Sequence, residues 1–402
     1  MNRHNSTICL AAMLAVIAAG LCIPAVPAAA QSIQTRAVRQ AFPVRGTEEL
    51  RLANLAGRIE LVRGQGNQLV VDATIHAQGD SANETRQLLQ GMKWVKGEDR
   101  HGREEWTLSY PVDRFKGFAY PRPGNKATQD SWFLSWLASK GHTSTTYRGE
   151  KIRIYNERSD SAPLLYADLK IALPVDSHVR IRNVVGSVRG GQLEGTLAVD
   201  TGSGRVEIAS YDGSLSVDTG SGDVVLGSAR GETVIDTGSG DVTVRRLVGN
   251  AKVDTGSGDV VVEKVSAGRL YIDTGSGDVT VRDGSAGRLI AETGSGDVHV
   301  MNVELEELEA DTGSGDVVVQ SSLAQARRIS ADTGSGDVEI HGDPDASFDV
   351  QSDQGSGDLI VRYPDAILRK SGKKVVGAKR GNGQTIIRVE TGSGDCVISP
   401  RG

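Results

Sequence analysis

The pentad Thr-Gly-Ser-Gly-Asp, preceded each time by an acidic residue, recurs from Asp200 almost to the C-terminus and sets what this chain can fold into. The acidic starts are Asp200, Asp218, Asp236, Asp254, Asp273, Glu292, Asp311 and Asp332, then a degenerate copy at Asp353 and a last one at Glu390. The steps between them are 18, 18, 18, 19, 19, 19, 21, 21 and 37 residues. A fixed period near twenty marks a stacked repeat architecture. Positions one and three before the acid are apolar (Val217 and Leu215, Ile272 and Leu270), as are positions one and three after the second Gly-Asp step (Val224 and Leu226, Val279 and Val281). Both arms alternate with period two, so each reads as a short strand with one face inward. The Gly-Ser-Gly between them is expected to be a corner built on positive φ, which glycine adopts without penalty.

One repeat brings about four inward apolar side chains, each large one contributing roughly 1.5–3 kcal/mol when buried, whereas ordering each backbone residue costs roughly 1–2 kcal/mol. A single repeat therefore cannot fold alone, and stacking supplies the shared core. At about 3.3 Å per residue the coil is roughly 60–70 Å around. The expected fold is all-β: a single-chain parallel β-solenoid, or β-helix, with 18–21-residue rungs and a small mixed insertion near the N-terminus.

In-register stacking places equivalent acids about 4.7–4.9 Å apart. The ladder Asp223, Asp241, Asp259, Asp278 and onward admits two readings. Each Asp can accept hydrogen bonds from the Gly, Ser or Thr groups of its own corner, or the ladder can hold a divalent cation between rungs, Ca²⁺ being the ion that hard oxygen ligands favour. No other cofactor is implied. The run Asp-Thr-Gly-Ser also resembles the active-site loop of aspartic proteases, but a repeat corner explains every copy.

Residues 1–30 carry Arg3, an apolar stretch from Ile8 to Ile23 and the small-residue end Ala28-Ala29-Ala30. This is the pattern of a secretory signal peptide with cleavage near Ala30, so export to the periplasm or the extracellular space is expected. No later run is long and apolar enough to span a bilayer. Losing Arg3 takes the net charge from −6 to −7, and this acidity argues against a nucleic-acid partner. Cys9 and Cys22 leave with the leader, so Cys396 remains alone, at an inward position.

Residues 31–79 form an N-terminal segment whose stretch Leu50–Leu61 alternates like the later repeats, with Asn54 at the acidic position; Val179–Val188 repeats that form around Asn183. Residues 164–402 form the repeat domain. Residues 80–163 are an insertion of different composition, with two short helices expected, one opening at the capping box Ser81-Ala82-Asn83-Glu84 and one over Ser131–Gly141, and a strand around Trp106. All four tryptophans fall in it, and residues 111–151 carry a net charge of +4. Aromatic faces and cations of this kind stack on sugars and pair with anionic groups. The candidate ligand-binding residues are Trp132, Trp136, Phe115, Phe118, Arg114, Lys116 and Arg122. The same aromatics would equally pack the insertion as a cap on the first rungs.

The Asn54-x-x-Gly57-x-Ile59 repeat, the Thr-Gly-Ser-Gly-Asp-Val ladder and the Gly-Asn-Gly loop before Glu390 resemble a bacterial family described as "putative adhesins", exported β-strand-repeat proteins with a domain of unknown function. The resemblance covers about residues 45–75 and 165–398. It implies a β-solenoid with an adhesive or envelope-sensing role and supplies no catalytic residues. The expected function is a non-enzymatic, exported, adhesin-like or envelope interaction scaffold, meeting an envelope glycan, an anionic lipid surface or an envelope protein. The alternatives are a polysaccharide-active β-helix enzyme and a purely structural, self-assembling envelope protein. The enzyme would need one place where unlike polar residues gather, such as two carboxylates at a set separation, and no repeat offers it.

Overall fold

The computed structural model describes residues 32–44, 46, 48–99, 101–120, 142–159 and 162–401. Among them are thirty strands and one helix, Ala82–Gly91, so the protein is all-β and repetitive. Consecutive repeats pair in parallel with their equivalent residues side by side: Val217 opposite Ile235, Val224 opposite Val242, Val279 opposite Val298. The alternation seen in the sequence becomes the core. Val217, Leu215, Val224 and Leu226 are buried, and the same positions stay buried from repeat to repeat.

A third strand, not evident from the pentad, completes each repeat. Leu193, Tyr211, Ala229, Leu247 and Val265 pair in succession and point inward. Its corner explains the change in period. In the 18-residue repeats a glycine with φ near 118°, such as Gly249, turns the chain. From Ala267 an added residue makes that turn instead, since Val248 still pairs with Ser266 while Ala251 pairs with Leu270.

Two expectations about the pentad are corrected. Its glycines do not have positive φ at most corners; they are required because the preceding repeat passes directly beneath. A Cβ at Gly315 would overlap the carbonyl oxygen of Gly296, and the equivalent clash recurs along the column. The corner is capped by the threonine, not the aspartate. Thr312 Oγ1 donates to the Gly296 carbonyl at 2.8 Å and accepts from the amide of Gly315 at 3.1 Å. Thr274, Thr293, Thr333 and Thr391 repeat this arrangement, each buried.

Asn54 and Asn183 take this same inward position: Asn183 pairs with Thr201, and Ala53 and Arg182 stand in the acidic row. The reading of Asn54 as the acidic position was therefore off by one residue, which in a strand exchanges the faces. The longer amide suits the role, because Asn183 Nδ2 reaches both the Gly57 and Gly186 carbonyls at 2.8 and 3.0 Å while its Oδ1 accepts from Asn54.

At both ends the order in space departs from the order in sequence. The last repeat, Thr385–Thr391 and Cys396–Pro400, does not close the stack. It lies between the repeat of Asp332 and that of Asp353, with Thr391 beside both Thr333 and Gln354 and Cys396 beside both Val338 and Leu359. The 37-residue step is thus a detour in which the chain lays down the outer layer, turns through the hairpin Ile367–Ser371 and Lys374–Arg380, and returns to fill the gap. The first repeat is enclosed likewise. Leu50–Ala56 lies between Glu104–Ser109 and His178–Val185, and Ile59–Arg63 between Leu164–Leu173 and Val188–Ser203. Gln68–Gln78 and Gln34–Pro43 then extend that sheet in antiparallel fashion.

Candidate functional site

The insertion is held to the stack by aromatic packing and one polar column. Ser81 caps the helix Ala82–Gly91 by accepting the Glu84 amide, and Glu84 reaches one residue further back than a capping box does, accepting the Asp80 amide at 2.7 Å. Glu84 and Gln87 also receive the two ends of the Arg114 guanidinium, at 2.9 and 2.8 Å. Lys116 pairs with Glu150 at 2.8 Å. Phe118 is fully buried, 5.4 Å from the Tyr110 ring, and half-buried Phe115 packs beside it with the Arg114 guanidinium over its outer face. Tyr110 donates its hydroxyl toward Asn54 Oδ1 and the Ala56 carbonyl, joining the inward column, and burial raises its pKa well above the usual phenol value. Trp94 and Trp106 meet Phe42 edge-on at 5.4 and 5.2 Å.

The structure therefore brings Arg114, Phe115, Lys116 and Phe118 together, but Phe118 packs in the core and both cations are engaged within the insertion. Trp132, Trp136, Arg122 and the helix expected over residues 131–141 lie outside the described residues.

Where the insertion meets the first repeats it leaves a cleft of about 220 Å³, lined among others by Asp99, His101, Arg103, Glu105, Arg180, Arg182 and Asp200. Each of its guanidinium groups has a carboxylate: Arg103 meets Asp99 at 2.8 Å, Arg182 meets nearly buried Glu105 at 3.0 Å, and Arg180 meets Glu49 at 3.1 Å. Burial alone would push the Asp99 carboxyl up, but the amides of Arg103 and His101 and the Arg103 side chain outweigh it and hold the pKa well below the usual range. Arg182 Nε is buried without a hydrogen-bond partner among the described residues. Fixed charges of both signs can orient a polar ligand, and the two carboxylates nearest the insertion, Asp99 and Glu105, are each paired with an arginine. Sequence reading missed this cleft. Its signal was Arg182, which stands where Asp200, Asp218, Asp236 and the repeats after them carry an acid.

The acidic ladders are regular along the stack. Asp223 Oδ1 accepts the Asp241 amide at 3.4 Å, Asp241 that of Asp259 at 3.1 Å, and Asp259 that of Asp278 at 3.0 Å; the distance falls to 2.7 Å at Asp337 and Asp395. The aspartates bridge repeats and do not cap their own corners. Among the described residues no His, Cys, Asp and Glu side chains gather in a group of three able to hold a metal. The outer row is less comfortable: Asp311 has its pKa raised by burial and then by Asp332 and Glu309, and Asp332 by burial and then by Glu390. Cys396 is a buried free thiol, pushed up to about 12 by burial.

A family model described as Toastrack DUF4097 matches residues 230–399. Solved structures similar to the chain include a "putative cell adhesion protein" from Clostridium sporogenes (10% identity, 92% of this chain and 100% of that one, TM-score 0.17). Two from Parabacteroides distasonis are a "putative adhesin" (10% identity, 90% and 97%, TM-score 0.33) and a "putative lipid binding protein" (12% identity, 90% and 96%, TM-score 0.35). A search of curated proteins finds no match. The chain thus resembles, at low identity, β-rich bacterial proteins described as adhesins.

Proposed function

We propose that this protein is an exported, non-enzymatic β-solenoid with parallel rungs of 18–21 residues that serves as an adhesin-like interaction scaffold in the cell envelope, with residues 80–163 as its contact element. One observation carries the reading: the acids of the stack repeat from layer to layer, while the insertion and the cleft at its foot gather paired charges and aromatic rings suited to recognition. No helix among the described residues is long and apolar enough to cross a membrane. The residues put forward for contact are Trp132, Trp136 and Arg122, together with Arg114, Lys116 and the exposed edge of Phe115. An envelope glycan is the favoured ligand, with an anionic lipid surface or an envelope protein as the other classes to be titrated.

All four tryptophans report from the insertion, so fluorescence titration of the mature protein with envelope glycans tests the proposal directly, with and without Ca²⁺ to examine Asp223, Asp241, Asp259 and Asp278. A saturable shift is expected, lost in the Trp132→Ala, Trp136→Ala double variant while the far-ultraviolet circular dichroism stays that of the native protein. Absence of any shift across glycans, lipids and envelope proteins would sink the reading.

A further inference from the structure

The hairpin Ile367–Ser371 and Lys374–Arg380 forms the outer boundary of the stack beyond Phe348–Gln354, and its first strand is exposed along its whole length. The apolar inward row runs through Val350 and Ala378, both fully buried, and continues into Leu368, which is 43% exposed because no further layer covers it. On the opposite face of the same strand Ile367 is 73% exposed, the most exposed large apolar side chain among the described residues. Around these two residues the charge is positive. Arg369 and Arg380 are tied to Asp349 and Asp365, and Lys374 is held by the carbonyls of Gln354 and Gly355. Lys370, Lys373 and Lys379 have no ionic partner among the described residues.

We propose that this hairpin is a second contact surface, a foot that seats the end of the stack on an anionic lipid bilayer. Exposed Ile and Leu flanked by free lysines enter the boundary between headgroups and acyl chains while the ammonium groups stay among the phosphates. Lysines along an edge strand normally keep a sheet from pairing with another copy. Two such edges brought together would face each other without counter-charge, so the charge pattern favours a lipid surface over a second chain. It does not account for leaving Ile367 and Leu368 bare, and membrane contact does. The acidic rows of the body are repelled by the same surface, which orients the stack away from it. With eleven parallel layers between the hairpin and the first repeat, the insertion would be carried about 50–60 Å from the bilayer.

The experiment is co-sedimentation of the mature chain with vesicles of phosphatidylglycerol and phosphatidylcholine in equal parts, against phosphatidylcholine alone. Binding is expected only to the anionic vesicles and is expected to weaken with salt. Lys370→Gln with Lys373→Gln should weaken it by about fivefold per charge removed, and Ile367→Ser with Leu368→Ser by about tenfold or more. All four side chains are exposed, so thermal melts should stay unchanged. Equal sedimentation with both vesicles, or with neither, would overturn the proposal, as would unchanged binding by both double variants. Hairpin variants that alter the mass in sedimentation velocity without altering vesicle binding would assign the edge to a second copy instead. The hairpin holds no tryptophan, so lipid binding that shifts tryptophan emission and survives both variants would place the contact in the insertion and also overturn it.

Discussion

The stack and the insertion solve the same problem, burying enough apolar surface to order a chain, by opposite means. In the stack each residue's neighbour is another copy of itself. Small Val, Leu and Ala side chains suffice there because backbone hydrogen bonds run unbroken from layer to layer, and layers approach closely only because glycine leaves room. In the insertion no neighbour is repeated, and Phe42, Trp94, Trp106, Tyr110, Phe118 and Tyr147 supply the area instead. The stack is thus sensitive to atoms added, and the insertion to atoms removed.

The sharpest way to break this contrast is Gly315→Ala. One methyl group set against the Gly296 carbonyl should cost more than about 4 kcal/mol, lowering the denaturation midpoint of the whole stack, whereas Gly102→Ala, which meets no atom within 4 Å but has φ of 73°, should cost about 1 kcal/mol. Phe118→Ala should cost about 3–5 kcal/mol. Its loss should appear first in tryptophan emission, with far-ultraviolet circular dichroism of the stack retained; simultaneous loss of both signals would show that the two regions unfold as one. Asn183→Ala removes the contacts to Gly57 and Gly186 that join the first two repeats, next to the Asn54 that the insertion's Tyr110 meets, and should cost about 2–3 kcal/mol, seen as an earlier transition in both probes.

The smallest effect is in pH, where the two regions should respond with opposite sign. Asp99, in the insertion, has a lowered pKa in the folded protein. Its contribution is present above the unfolded value of 3.8 and is lost as pH falls below it. Asp311 and Asp332 have raised values, through burial first and neighbouring acids second, so their charged forms weaken the stack at neutral pH and that penalty is relieved as pH falls toward the unfolded value of 3.8. Mild acidification should therefore slightly raise the melting midpoint read by circular dichroism, and stronger acidification should loosen the insertion first, read by tryptophan emission. A stack that loses stability steadily from neutral pH downward would contradict this.

Period, inward faces and the buried thiol were legible in the sequence because repetition averages out local ambiguity: Val217 and Val224 could be read inward since eight further copies agree. The third strand was not, because its inward residues, Leu193, Tyr211, Ala229 and Val265, share no type. The role of glycine was misread because the clash that requires it comes from a residue eighteen to twenty-one positions away and leaves no local trace. In the candidate site the helix cap at Ser81 was plain, since all its partners lie within five residues. The pairing of Arg182 with Glu105 depends on a contact across 77 positions that only the folded chain creates.

An array that stacks in sequence order can be peeled from its end, one layer at a time. Here the first and last repeats are tucked between layers laid down by other parts of the chain, as a belt is passed beneath its own loop. Pulling on the C-terminus or digesting from it meets a repeat gripped on both sides. The last repeat fills a gap whose far wall is residues 348–361, so the stack closes only after Thr385–Pro400 has been made. A chain cut short before Thr385 would hold a slot with two bare edges. Cys396 stands inside that slot, and its reaction with a thiol reagent would time each opening of the buckle.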